Sequence, residues 1–291
     1  MLPYDATRDA LYRPQLRAPL LRDDAQAPSD TALAAECARL AYLQAESDPT
    51  QAATLQAALA SQGFGELQSF NVPHTHSQGF AALRARDGLA LVALRGSQAD
   101  VRDWAQNTRF VMLQARDGLW PGRVHTGFVQ AAASLQQPIQ AWLDRTAAQR
   151  LSLLFCGHSL GGALATLMPV LMQGADVPQR VLTFGSPRVG DAAFVHALAQ
   201  RPGLVLQRAV HATDLVCEVP PQALHYVHAG DRLYIDRRGL VRPAASDGDI
   251  AADRLQAQID YALAYQWRPG TPWLRGLADH APINYVRAFW P

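Results

Sequence analysis

Residues 151–167 read LSLLFCGHSLGGALATL, and this stretch decides the fold. An apolar run, 151–156, stops at Gly157-His158-Ser159-Leu160-Gly161, and small residues follow at Gly162, Ala163 and Ala165. The pattern is G-x-S-x-G with a buried strand before it and a helix after it, the setting in which it has a mechanism. A serine hydroxyl is a poor nucleophile until it projects into a cleft beside a base and near backbone N–H donors. A sharp strand-to-helix turn provides that projection, and glycine on both sides lets strand and helix pass close together. Without that strand and helix the five residues would read only as a Gly-rich turn.

The rest of the chain supports a large α/β domain. Its 291 residues are 49% hydrophobic and 18% charged, enough for a sizeable core. With 26 basic and 25 acidic side chains the net charge is +1, and no basic cluster marks a nucleic-acid surface or an anionic-membrane anchor. Cys37, Cys156 and Cys217 are too few and too widely spaced for a disulfide framework or a zinc site, and they read as small hydrophobes. The first residues lack a basic segment followed by a continuous apolar core, so no secretory signal is read. The default location is cytoplasmic, with export by another route left open. The apolar-leaning stretch 159–177 carries Pro169 and Gln173 and reads as the helix behind the serine, breaking near Pro169, not as a membrane span.

Along the chain, 1–28 reads as an irregular arm. Helices are expected from Asp30 and from Pro49, the second ending at Gly63. Strands are expected at 67–72, 79–84 and 89–94, with Asp87-Gly88 turning the last pair. Residues 124–143 have a helical pattern interrupted at Pro138. Apolar runs at 151–156, 181–185 and 204–210, separated by helix-like segments, argue for crossovers and a mostly parallel central sheet flanked by helices. A small hairpin follows at 233–241. Residues 249–267 form an amphipathic helix candidate with Leu255, Ile259 and Leu263 at spacing four. A short helix follows Pro282. With no repeat or linker, 1–291 reads as one domain.

A nucleophilic serine needs an imidazole to take its proton and a carboxylate to fix the imidazole's tautomer. In doubly wound sheets these come from loops at the carboxyl ends of later strands, in the order Ser, acid, His. Of His211, His225, His228 and His280, only His280 leaves room for an acid on a separate loop. Asp214 follows the 204–210 strand directly and is the first candidate acid, ahead of Asp231 and Glu218. Asp279 reads as a surface or cap residue, and His225 and His228 as core or edge histidines. His158, His125 and the Ser186-Pro187-Arg188 turn read as scaffold, the last bracing the Asp214 loop.

Five blocks now carry a resemblance. They are Leu94-Arg95-Gly96-Ser97 with Asp103-Trp104-Ala105-Gln106-Asn107; Val124-His125-Thr126-Gly127-Phe128; the 157–163 turn; Thr183-Phe184-Gly185-Ser186-Pro187-Arg188-Val189-Gly190-Asp191; and the pair Asp214 and His280. In order and spacing they resemble the class 3 (fungal-type triacylglycerol) lipases of the α/β-hydrolase superfamily, over roughly residues 30–290. The resemblance implies an α/β-hydrolase fold and a serine carboxylester hydrolase acting on lipid esters through an acyl-enzyme. It implies Ser159 as nucleophile, Asp214 as acid and His280 as base, with the backbone N–H groups of Leu160 and Ser97 as oxyanion donors. It implies no metal and no organic cofactor, and a lipid or ester substrate met by transient contact with a lipid interface.

In that family the segment after the Arg-Gly-Ser strand forms a lid. Here 98–110 holds Val101 and Trp104 among several charges, a modest apolar drive. The insertion before His280, with Trp267 and Trp273, is expected either to cap the cleft as a substrate pocket or to be pinned to the core. Rival readings are an esterase of small soluble esters, an acyltransferase, and a non-catalytic lipid-binding module on the same fold.

Overall fold

The centre of the molecule is set by strands whose side chains are apolar on both faces, as a sheet covered on both sides requires. The computed structural model describes residues 2–23, 28–96, 111–114, 118, 120–172 and 177–290. The strands are β1 (Gly65–Val72), β2 (Ser77–Arg84), β3 (Leu89–Leu94), β4 (Met112–Gln114), β5 (Arg123–His125), β6 (Ser152–His158), β7 (Gln179–Phe184), β8 (Leu204–His211), β9 (Asp231–Ile235) and β10 (Val241–Arg242). Among the described residues eight of them form one sheet in the order β1-β2-β3-β6-β7-β8-β9-β10, and β4 pairs with β5 separately. From β3 to β9 the neighbours are parallel, while β1, β2 and β10 run antiparallel at the edges. Every residue of β3 is buried, as are Leu153 to His158 of β6.

Helices cover both faces. They are α1 (Arg8–Tyr12), α2 (Asp30–Leu40), α3 (Pro49–Ala60), α4 (Thr126–Arg145), α5 (Leu160–Leu171), α6 (Ala192–Ala199), α7 (Asp247–Ala264), α8 (Arg275–Ala278) and α9 (Pro282–Phe289). One face buries Leu33, Cys37 and Leu40 of α2 with Ile283, Tyr285 and Val286 of α9. The opposite face buries Phe128, Leu135 and Trp142 of α4 with Leu164, Leu167 and Met168 of α5. The expected interruption at Pro138 is absent, because α4 continues through it. Ile139, Trp142 and Leu143 beyond the proline share the buried face of Phe128 and Leu135, so packing holds the helix despite one missing backbone donor. The three cysteines are free and buried. Among the described residues no helix is long and apolar enough to cross a membrane.

The arm is more ordered than its composition suggested. It contains α1 and a single turn at Pro14–Leu16, and it is tied down by a buried pair on α2. Arg39 and Glu36 meet at 2.6 Å with almost no exposure. The spare donors of Arg39 reach the carbonyls of Pro14 (2.9 Å), Arg17 (3.1 Å) and Ala18 (3.2 Å), and Glu36 accepts the Leu20 N–H (2.8 Å). The pair is therefore saturated, which is what makes burying it tolerable. Replacing Arg39 by Ala leaves Glu36 buried and uncompensated and frees three arm carbonyls. The expected loss is about 3–5 kcal/mol, read as a lower urea midpoint at unchanged slope.

Candidate active site

The turn after β6 is built by close backbone contact. A Cβ on Gly157 would lie 2.2 Å from the Gly161 backbone, and one on Gly161 would lie 2.0 Å from the Leu94 carbonyl oxygen. Only hydrogen fits at either place, and that lets α5 start directly above β3 and β6. Between them Ser159 takes φ 58°, ψ −129°. A side-chain-bearing residue there costs on the order of 1–3 kcal/mol. The conformation lifts the hydroxyl out of the strand while the Ser159 N–H stays bonded to the Phe184 carbonyl (2.9 Å). Leu160 is the first residue of α5, where N–H groups lack an intrahelical acceptor and carry the positive end of the helix dipole.

Three loops then converge. His280 Nε2 lies 2.9 Å from Ser159 Oγ, and His280 Nδ1 lies 2.8 and 3.0 Å from the two Asp214 oxygens. A carboxylate can only accept, so Nδ1 carries the proton and Nε2 is left to take the serine's. Asp214 is fully buried and accepts two more bonds, from the Val216 N–H (2.8 Å) and the Tyr285 hydroxyl (2.5 Å). Burial, and then the charge of Asp214, push the Tyr285 phenol well above its usual range, so it stays a donor. Gly185 faces this pair, and a Cβ there would come 2.7 Å from Asp214 Oδ2 and 3.0 Å from His280 Nδ1. Its φ of +59° adds a second reason for glycine.

The imidazole is also held from behind. His158 Nε2 donates to the His280 carbonyl (2.7 Å), and its Nδ1 accepts from Tyr42 Oη (2.8 Å). Those two partners fix one neutral tautomer. Burial, reinforced by the neighbouring His280, holds the His158 pKa well below its ordinary value.

Asp279 corrects the sequence reading. It does cap a helix, as the C-cap of α8, but it is not a surface residue: it is wholly buried. It accepts from Thr213 N (3.0 Å), Thr213 Oγ1 (2.8 Å), Tyr4 Oη (2.9 Å) and Arg275 Nε (3.2 Å). This one carboxylate ties the acid's loop, the base's loop and the arm together. Neither Tyr285 nor Asp279 was expected here. The available signal was their position, five residues after and one before the candidate base, in a segment required to pack beside Asp214.

The other histidines are scaffold. His125 accepts the Phe128 N–H and stacks on its ring, with burial lowering its pKa to about 4. His228 donates to the Cys217 carbonyl, and exposed His225 ends a short turn. Of the rival acids, Asp231 is exposed at the start of β9, and Glu218 pairs with Arg188 and Arg254. Arg188 also donates to the carbonyls of Glu218 and Pro220, so the 186–188 turn does brace the segment after Asp214. Ser97, Trp104 and the whole 98–110 segment lie outside the described residues.

The insertion before His280 departs from expectation. Leu255, Ile259 and Leu263 point away from the body, 63%, 45% and 84% exposed, and α7 packs inward through Ile250, Ala257 and Tyr261. Trp267 is 88% exposed and is neither a pocket wall nor a pin. Trp273, half-exposed, borders a cleft of about 230 Å³ shared with Thr213, Leu215 and Tyr261.

Sheet order, strand-to-helix turn and the Ser–His–Asp arrangement are together those of an α/β-hydrolase. Within that class, residues 91–224 match the family model Lipase (class 3). It is 30% identical to secreted mono- and diacylglycerol lipase 1 of Fusarium solani, over 65% of this chain and 61% of that protein. It is 30% identical to phospholipase A1-II 4 of Oryza sativa subsp. japonica, over 55% of this chain and 46% of that protein. The chain thus spans about half to three fifths of these relatives. The crystal structure of a lipase from Rhizopus microsporus var. chinensis superimposes with a TM-score of 0.59 at 25% identity, covering 70% of this chain and 72% of that one.

Two measurements probe the site. Tyr285→Phe removes a hydrogen bond to a charged acceptor, worth about 1.5–3 kcal/mol. On a soluble ester it is expected to lower kcat by about tenfold or more and leave KM unchanged. Asp279 gives a pH signature. Burial alone would raise its pKa, but His211, Arg275 and Thr213 outweigh burial and hold it below the usual carboxylate value. A depressed folded pKa stabilises above the unfolded value of about 3.9 and is lost as pH falls through the folded one. The stability gap between the parent and Asp279→Asn should therefore be widest near neutral pH and narrow below about pH 4.

Proposed function

We propose that the chain is a serine carboxylester hydrolase that cleaves acyl esters of lipids through an acyl-enzyme, working as one hydrolase unit. The observation that carries this reading is the continuous path from Ser159 Oγ through His280 to Asp214, with both steps at hydrogen-bond length. Ser159 Oγ attacks the ester carbonyl carbon as His280 Nε2 takes its proton. The tetrahedral oxyanion is met by the N–H of Leu160 at the start of α5, and the second donor is the one the family resemblance assigns to Ser97, which lies outside the described residues. As the intermediate collapses, the alcohol C–O bond breaks and His280 returns the proton to the leaving oxygen. Water, deprotonated by the same imidazole, then releases the acid. Each proton is carried by His280, so these steps call for neither metal nor organic cofactor.

The substrate class follows from two supports. The relatives named above are, by name, acylglycerol lipases and a phospholipase A1, which share acyl esters of glycerol. The described surface beside the site exposes Leu215, Trp273 and Leu274. An acylglycerol or phospholipid ester is therefore the first choice, and small soluble esters or acyl transfer to an alcohol use the same machinery. The cytoplasmic default stands beside a Fusarium relative named as secreted. Ser159→Ala is expected to remove about 10⁶ of kcat if the triad acts as a unit, and to abolish labelling by a fluorophosphonate. Comparing triglyceride, phosphatidylcholine and nitrophenyl butyrate hydrolysis ranks the substrates. Undiminished activity in the alanine variant would overturn the proposal.

A further inference from the structure

The outward row on α7 has no counterpart in the chemistry described so far. At 100° per residue, Leu255, Ile259 and Leu263 lie about half a turn from the buried Ile250, Ala257 and Tyr261. Trp267 continues the row just beyond the helix end. The helix is not loosely attached. Arg254 Nε donates to the Ala212 carbonyl (2.8 Å), Arg275 donates to the Ala257 carbonyl (3.0 Å), and Tyr261 Oη donates to the Pro272 carbonyl (2.6 Å). An apolar row held rigidly in water is a surface with a purpose.

A second apolar patch lies on the other side of the helix, nearer the candidate site. Across the cleft beside α7 stand Leu215, Trp273 and Leu274, themselves 43%, 54% and 37% exposed. Leu215 follows Asp214, and Trp273-Leu274 lead into α8 and His280. Gln258, Tyr261 and Ala262 form the α7 wall of that cleft, so Leu215, Trp273 and Leu274 make a second exposed apolar patch beside the helix, on the two loops that lead to the acid and the base.

The charges around the row indicate what it meets. The chain has no lysine at all. Arg254 turns inward to Ala212 and Glu218, and Arg268 lies over the Tyr265 ring. Asp253 and Asp260 beside the row are both engaged by Arg237. One guanidinium against two carboxylates, with Asp247 94% exposed at the helix start, leaves the face no excess of positive charge, which suits an uncharged or zwitterionic lipid surface and gives an anionic one no hold. A second copy of the chain is the competing occupant, which the sedimentation measurement below separates.

We propose that α7 and its flanking residues dock the protein on the surface of aggregated zwitterionic or neutral acyl lipid, bringing the Asp214 and His280 loops to that surface. The proposal rests on the lipid-ester reading above, and its test keeps the two apart. Full-length protein carrying Ser159→Ala, which leaves the lipid intact, is floated with phosphatidylcholine vesicles, with and without phosphatidylglycerol. The same is done with Leu255→Ser and Leu263→Ser added. Both leucines are exposed, so folding should be unaffected, which thermal melting checks. In the Ser159-intact background, nitrophenyl butyrate hydrolysis is followed in parallel.

The expected result is co-flotation of the parent, at least a tenfold weaker partition of the double variant, no gain from phosphatidylglycerol, and equal hydrolysis of the soluble ester. Equal flotation of parent and double variant would overturn the docking surface. So would a parent that hydrolyses the soluble ester but never floats, or a parent dimer that the double variant dissolves in sedimentation. Loss of soluble-ester hydrolysis in the parent would instead count against the enzyme reading.

Discussion

The candidate site depends on a single buried carboxylate that does no chemistry. Asp279 takes hydrogen bonds from Thr213, Tyr4 and Arg275, so the loop after β8 and the loop before α9 are fixed to each other. Nearly all of its acceptor capacity is used, and those bonds offset the cost of leaving water. The distance between Asp214 and His280 is thus a property of the scaffold and not of the two side chains alone. The same logic recurs one step away, where His158 and Tyr285, their rings in edge contact at 5.7 Å, hold the His280 carbonyl and the Asp214 carboxylate. Preorganisation of this kind spares the reacting groups any rearrangement when charge develops.

What could be read from the sequence divides along physical lines. The turn at Ser159 was legible because it is local. Two glycines, a serine and the strand and helix beside them occupy consecutive residues, and steric exclusion at Gly157 and Gly161 acts within the turn and its neighbouring strand. Asp214 and His280 were legible one level up, because a parallel sheet delivers strand ends in a known order to one edge. Asp279 was not. Nothing in its neighbours says that Thr213, 66 positions away, will turn its hydroxyl and N–H toward it. Helix α7 shows a different limit. A period of four reveals that a helix has two faces but not which one meets the body. Here the Leu255–Ile259–Leu263 face lost to that of Ala257 and Tyr261, because Tyr261 also satisfies the Pro272 carbonyl and Ala257 lets Arg275 approach its own. At Pro138 the local rule was overridden by the buried side chains beyond it.

The sheet and its edges show a division of labour. The parallel middle, β3 to β8, carries Ser159 and Asp214 at its carboxyl ends and is covered on both sides. The later part of the chain, from β9 onward, supplies His280 and the helix that stands outside it. Residues that react and residues that meet the surroundings are therefore on different elements, joined through short hydrogen-bonded contacts at Ala212, Ala257 and Pro272. One surface can vary without disturbing the other.

The arm has a temporal meaning as well as a mechanical one. Tyr4 bonds to Asp279 and Asp5 to Asn284, residues 275 and 279 positions apart. Loop closure over such separations comes late in the search for the native state, because its entropy is lost before its contacts form. The arm's contacts at residues 279 and 284 therefore depend on the rest of the body being in place, and a chain lacking them would keep the serine on its elbow while holding the loop of its base by fewer bonds.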